Sequence, residues 1–206
     1  AGVGAGGLRS LEGRMGFRAE GGPAWLRVEG TWRQVQGAVV GRPTLDPTAS
    51  LPVPLDATVV TEARGEAGGV ELEVGARWGG RGSGRILWRA NRRLSGNGAF
   101  REAMDEVPAR TLTAWLQLPG PVGTAAHLRL ETRSRTRWHA FPVDGRPLAL
   151  PGRATVEVGA SKGFEGGRST LTVGVRDLLD QARKDHPLGT AAGLSFVVSG
   201  RVSVGG

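Results

Sequence analysis

Arginine recurring at every second residue is the pattern in this chain best suited to chemistry. In Leu128–Trp138, LRLETRSRTRW, one side of an extended segment carries Arg129, Glu131, Arg133, Arg135 and Arg137, with His139 following. The other side carries Leu128, Leu130, Thr132, Ser134, Thr136 and Trp138. A guanidinium is a rigid fork of donors that grips carboxylate or phosphate bidentately, so such a row could hold an anionic polymer or an acidic protein neighbour. Residues two apart on a strand lie about 7 Å apart, where repulsion in water is roughly 0.6 kcal/mol per pair. A solvated row is therefore tolerated as well. Glu71 and Glu73 have the same spacing on another predicted strand and could serve as internal cross-strand partners worth about 0.2–1 kcal/mol each. Nucleic acid is the weakest of these partners: aromatic residues are 5% of the chain, Tyr is absent, and no RNA-recognition or zinc-finger signature occurs.

Two tryptophans are the other candidates for partner binding. Trp115 shares the polar side of its segment with Thr111, Thr113 and Gln117, between apolar Leu112, Ala114, Leu116 and Leu118, and Trp25 follows Pro23 in a turn-rich stretch. An exposed indole on a sheet can stack on a sugar ring or anchor a protein contact; a satellite core is the ordinary alternative. Trp32, Trp78, Trp88 and Trp138 fall on the apolar sides of their segments, which predicts packing.

Familiar catalytic and cofactor motifs fail on context. Gly2, Gly4 and Gly7 have G-x-G-x-x-G spacing with no strand before them, and GGRGSGR at Gly79–Arg85 lacks the Lys-Ser/Thr ending of a phosphate loop. His127, His139 and His186 have no metal-binding spacing, and the chain has no cysteine. Asp46, Asp56 and Asp144-Gly145 suit turns better than calcium. No catalytic, cofactor or metal residue is assigned, and the chain reads as a non-enzyme without a cofactor.

The elements that position these residues are short strands. Leu26–Trp32, Val70–Trp78, Ile86–Ala90, Leu112–Leu118, Leu128–Trp138, Ala154–Val158, Leu171–Val175, Leu194–Val198 and Arg201–Val204 alternate or are β-rich, and the 35 glycines supply turns. GGRGSG at Gly79–Gly84 predicts a hairpin. Pro43, Pro47, Pro52 and Pro54 predict an extended connection or edge over Gly41–Asp56. Asn97 caps a predicted short helix through Val107, stopped by Pro108, and Asp177 caps a second over Leu178–Lys184. The resulting fold class is all-β: an antiparallel β-sandwich, jelly-roll-like, with one or two short helices. Residues 1–24 form a glycine-rich N-terminal segment, a strand or arm that touches a neighbour, and 25–206 a single sandwich domain.

The net charge of +8 and a pI near 11.4 come from arginine, lysine occurring only at Lys162 and Lys184. Arginine for lysine with few Asn, Gln, Cys and Met also fits a thermostable chain. No apolar run reaches the roughly 18 residues of a helical membrane span, and no signal segment is visible. The start at Ala1 fits methionine removal or a cleaved secretory signal, and secretion is preferred.

Leu171–Gly200, LTVGVRDLLDQARKDHPLGTAAGLSFVVSG, resembles the closing strand, short helical turn and final strand of galactose-binding-like and carbohydrate-binding jelly rolls. Phe141–Leu148, FPVDGRPL, is similar to a hairpin with a D-G turn found in such domains. The resemblance spans about a fifth of the chain and implies a jelly roll; no sugar platform transfers residue by residue.

The functional expectation is a structural subunit of a larger assembly, an extracellular filament, surface layer or virion, self-associating through sheet edges and terminal segments into a homo-oligomer or polymer. The alternatives are a secreted carbohydrate-binding module using Trp115 and Trp25, and a basic protein holding an anionic polymer through Arg129, Arg133, Arg135 and Arg137. The expected location is extracellular or the cell surface, with the virion as alternative.

Overall fold

The computed structural model describes residues 9–45, 54–79, 82–143, 146–164, 169–180 and 193–202. Along them run β1 (Arg9–Gly21), β2 (Ala24–Leu45), β3 (Pro54–Trp78), β4 (Gly82–Gly96), α1 (Gly98–Asp105), β5 (Arg110–Pro119), β6 (Thr124–Arg133), β7 (Thr136–Val143), β8 (Arg146–Leu150), β9 (Arg153–Phe164), β10 (Ser169–Arg176) and β11 (Ser195–Val202). The protein is mostly antiparallel β. Nine strands form one sheet in the order β1-β2-β3-β4-β5-β6-β9-β10-β11, and β7 and β8 form a separate two-stranded sheet. Most strands sit where alternation predicted them, and the segments expected at Leu194–Val198 and Arg201–Val204 merge into β11, with 203–204 outside the described residues.

The sequence expectation of two face-packed sheets in jelly-roll order is not how the described strands are arranged. Each strand pairs with its predecessor in the chain, save that β9 adds to β6 past the β7–β8 hairpin, so the sheet is a meander without crossovers. No second sheet packs on either face among the described residues.

The register sorts side chains into two unlike faces. Through consecutive Cα partners, Ala19, Leu26, Val74, Ile86, Ala114, Leu130 and Val156 form one row across the sheet. A neighbouring row on the same face holds Ala24, Ala76, Gly84, Leu116, Leu128, Val158, Val175 and Phe196. Charge enters this face near strand ends, as at Arg92, Arg110 and Lys162, and along β3 at Glu62, Arg64 and Glu66. The opposite face carries Arg and Glu on nearly every strand.

Little covers the apolar face. Among the described residues the buried apolar side chains are Ala63, Ala99 and Phe100, whereas Phe17 (62%), Ile86 (52%), Phe196 (78%) and Val198 (72%) stand exposed. A soluble chain of this length would bury most of such groups.

Connections differ between the two ends. The ends of β1 and β2, β3 and β4, β5 and β6, and β9 and β10 that are few residues apart in the chain gather at one end of the sheet; at the other lie the long extensions of β2 and β3, the α1 segment and the β7–β8 hairpin. Gly22 adopts φ +58° in its turn, a conformation glycine reaches without strain.

The apolar stretches are staggered. Met15, central on β1, shares a row with Gly30, Val70, Ala90 and Arg110, whereas Val198 on β11 shares one with Val173, Ala160, Ala126 and Leu118. Arg110 and Leu118 lie near opposite ends of β5, so the band shifts about one residue per strand. A shift of ~3.4 Å per ~4.8 Å step corresponds to a strand tilt of roughly 35°.

The helix expected from Asn97 is present. Asn97 Oδ1 accepts from the Phe100 amide at 3.0 Å and the Arg64 amide at 3.2 Å, and its Nδ2 donates to the Glu62 carbonyl at 2.7 Å. One side chain thus caps α1 and ties it to β3. Phe100 then lies over Gly65, where an added Cβ would meet its ring at 2.2 Å, with Val35, Ala67 and Met104 around it. Val35, Gly65 and Ala67 belong to the charged face, so α1 folds over that face at the long-loop end.

Of the second predicted helix, Leu178 and Leu179 form a turn after Asp177 (φ +58°), and 181–184 lie outside the described residues. The connection predicted over Gly41–Asp56 is strand through Leu45 and from Pro54, with 46–53 outside the described residues. The glycine-rich N-terminal segment contributes β1, an edge strand; residues 1–8 lie outside the description.

Asn97→Ala should cost about 1–2 kcal/mol. Amide exchange should quicken in α1 and leave β5 and β6 protected; unchanged α1 protection would refute the capping role.

Candidate functional site

The candidate site lies on the charged face. A groove of about 730 Å³ is lined by side chains from Trp25 on β2 to Thr172 on β10, including Arg77, Arg85, Trp115, His127, Arg129 and Glu157. Adjacent strands bring these residues together through one register row: Glu20, Trp25, Gly75, Arg85, Trp115, Arg129, Glu157, Arg176 and Ser195. Gly75 is needed there because the Trp25 indole lies across it; a Cβ would come within 2.0 Å of that ring. The indole is held by Arg77, stacked 5.5 Å from its centroid, and by its Nε1 donating to Glu73 at 3.4 Å. His127 lies over Gly159 in the same way, with Nε2 3.8 Å from Glu157.

Toward β1 the face is an ion-pair ladder. Arg33 donates to Glu12 at 2.8 Å, Arg14 to Glu12 at 2.5 Å, Arg27 to Glu29 at 2.5 Å and Arg89 to Glu71 at 2.6 Å. Arg27 also reaches Glu71 at 3.8 Å and Glu73 at 3.9 Å. Glu29 and Glu71 stand opposite each other across β2 and β3, so Arg27 separates two like charges.

The candidate partner-binding residues meet different fates. Trp25, Trp115 and Arg129 line the one groove. Arg133 ends β6 on the same face. The row breaks after it. Ser134 and Arg135 belong to neither strand, and Arg137 lies on β7 in the small sheet, together with Trp138, which does not join the apolar face of the large sheet. The physical reason is the end of the partner strand. The Ser134 amide donates to the Arg110 carbonyl and its Oγ accepts from the Arg110 amide, closing the ladder where β5 begins. His139 on β7 instead contacts Asp105 of α1 at 3.0 Å.

Glu71 and Glu73 pair as expected of a cross-strand ladder, but with Arg27, Arg85 and Arg89. Two strands, β4 and β5, stand between them and Arg129, which donates to Glu131 at 2.9 Å on its own strand. Arg77, Arg85, His127 and Glu157 were not singled out as binding residues from the sequence, because only the register unites them with Trp25 and Trp115. Among the described residues no three His, Asp or Glu side chains are grouped as metal ligands.

No family model and no curated protein matches this chain. Among solved structures it is similar to the FrpB iron transporter from Neisseria meningitidis (F3-3 variant), with a TM-score of 0.66 and 16% identity. The likeness covers 96% of this chain and 31% of that one, so the chain spans about a third of the neighbour's length. At that identity the shared property is the fold, the antiparallel meander.

Arg27→Gln leaves Glu29, Glu71 and Glu73 without their shared cation and should lower stability at low salt. Urea unfolding should show the loss shrinking in molar salt; a salt-independent loss would contradict an electrostatic role.

Proposed function

We propose that this chain forms part of the wall of a transmembrane β-barrel, its apolar face toward lipid and its charged face toward a water-filled interior. The observation that carries this reading is the apolar face shared by all nine strands of the meander, uncovered among the described residues, and backed by a face of arginine and glutamate that holds a groove. In water each exposed large aliphatic or aromatic side chain forgoes about 1.5–3 kcal/mol of burial, whereas in hydrocarbon it forgoes none. The dimensions fit. Strands β5 and β6 have ten residues each, and at a tilt near 35° such strands rise roughly 28 Å, comparable to the ~25 Å apolar band of such barrels.

Terminal chemistry agrees with the band. Lys162, at the short-turn end of the apolar face, turns its Nζ to the Val122 carbonyl at 2.5 Å, as a lysine does when its stem lies in an apolar zone and its charge outside it. Short turns at one end and long loops at the other are the asymmetry of outer-membrane barrels, which puts the α1 and β7–β8 segments on the outer side. The location that follows is an outer membrane rather than a free extracellular state. The absence of a long apolar helix bears on helical spans only. From the transporter neighbour we take the wall and a role in solute passage; the metal it carries is not part of this reading.

A second reading, the self-assembling subunit expected from the sequence, draws support from the outer edges of β1 and β11, which pair with no further strand among the described residues. It leaves the apolar face to be covered by something else.

Two substitutions on adjacent strands and opposite faces test the barrel. In lipid vesicles Ile86→Arg should destabilise by about 2–4 kcal/mol and Thr113→Arg by well under 1 kcal/mol in urea titrations. Equal losses would overturn the assignment of faces.

A further inference from the structure

We infer that the groove on the charged face binds a solute in which a ring carries a carboxylate, such as an acidic sugar. The inference rests on the barrel reading only for the claim that this groove faces the interior. Across one row the sheet presents indole, guanidinium, indole and guanidinium: Trp25 folded over Gly75, then Arg85, Trp115 and Arg129. Strand spacing sets Arg85, Trp115 and Arg129 about 4.8 Å apart from one strand to the next, and the Trp25 ring lies over Gly75 on the strand between it and Arg85. A groove of about 730 Å³ is within the range that holds a small organic ligand.

The charges favour an anion. Arg77, Arg85 and Arg129 line the groove against the single carboxylate of Glu157. Their donors are not used up. Arg77 contacts the Trp25 ring, Arg85 lies 3.8 Å from Glu73, beyond hydrogen-bond reach, and Arg129 gives Nη2 to Glu131. Each guanidinium has five N–H donors arranged as a fork, so Arg85 and Arg129, on either side of Trp115, keep donors for a carboxylate. The indoles supply the other half of the recognition: both are only half-buried, and a flat indole face packs against the C–H face of a sugar or an aromatic ring. Inorganic phosphate satisfies the forks but not the indoles, and a neutral sugar the reverse.

The test is calorimetric titration of the full chain folded in detergent with trigalacturonate, a neutral galactose trimer, benzoate and inorganic phosphate. Saturable binding of trigalacturonate or benzoate, at least tenfold tighter than the neutral trimer or phosphate and weakening with salt, is expected; preference between the two carboxylates tells the sugar from the aromatic source. Arg85→Gln, Arg129→Gln and Trp115→Leu should each weaken it at least tenfold, and Arg92→Gln, on the other face, should leave it unchanged. Equal affinity for the neutral trimer or phosphate, no heat with either carboxylate, or indifference to all three groove variants would overturn the inference. Arg85→Lys, which keeps the charge and loses the fork, guards against a folding defect in the glutamine variants and should bind at an intermediate level. Because the assay reads only the charged face in detergent, its failure leaves the Ile86 and Thr113 comparison in lipid untouched, and the converse also holds.

Discussion

Backbone pairing is the constraint on which the rest depends. Once β1 through β6 and β9 through β11 hydrogen-bond in a fixed register, each side chain is committed to one face, and a slip of one residue would exchange every apolar group with a charged one. The chain's alternation is long enough, and its two faces different enough, to hold that register without a packed core. What would be a fatal exposure of leucine, valine and phenylalanine in water becomes the defining property of the sheet when its outer side is hydrocarbon.

The charged face is arranged with the same economy. Its ion pairs run between neighbouring strands and along single strands, Arg33 with Glu12, Arg89 with Glu71, Arg129 with Glu131, so that a dense row of guanidinium groups does not repel itself apart. Glycine opposite a large ring recurs as a device: Gly75 beneath Trp25, Gly159 beneath His127 and Gly65 beneath Phe100 let bulky groups lie flat on the sheet. Flat rings leave a groove on the charged side, and α1 is brought down over its end by the Asn97 cap.

Much of this was legible in the residues. Period-two alternation located most of the strands, the GGRGSG hairpin and the polar placement of Trp115, and Asn97 with Pro108 framed α1. The layer architecture was not legible, because a strand with one wet face and one apolar face reads alike whether another sheet or a lipid tail covers it. The break at Ser134 was hidden too: the alternation of Leu128–Trp138 continues past the point where β5 runs out of residues to pair. The groove was legible only in parts, since Trp25, Arg85, Trp115 and Arg129 are distant in the chain and are joined by cross-strand partners alone.

Direction along the meander carries a further consequence. Neighbours alternate in sense, so the outermost members of the nine, β1 and β11, point the same way. Joined edge to edge they would meet parallel, and so would repeats of the same nine arranged around one axis. A ring that stays antiparallel throughout takes an odd number of additional strands between them, so the parity of the sheet itself limits how such a cylinder can be completed.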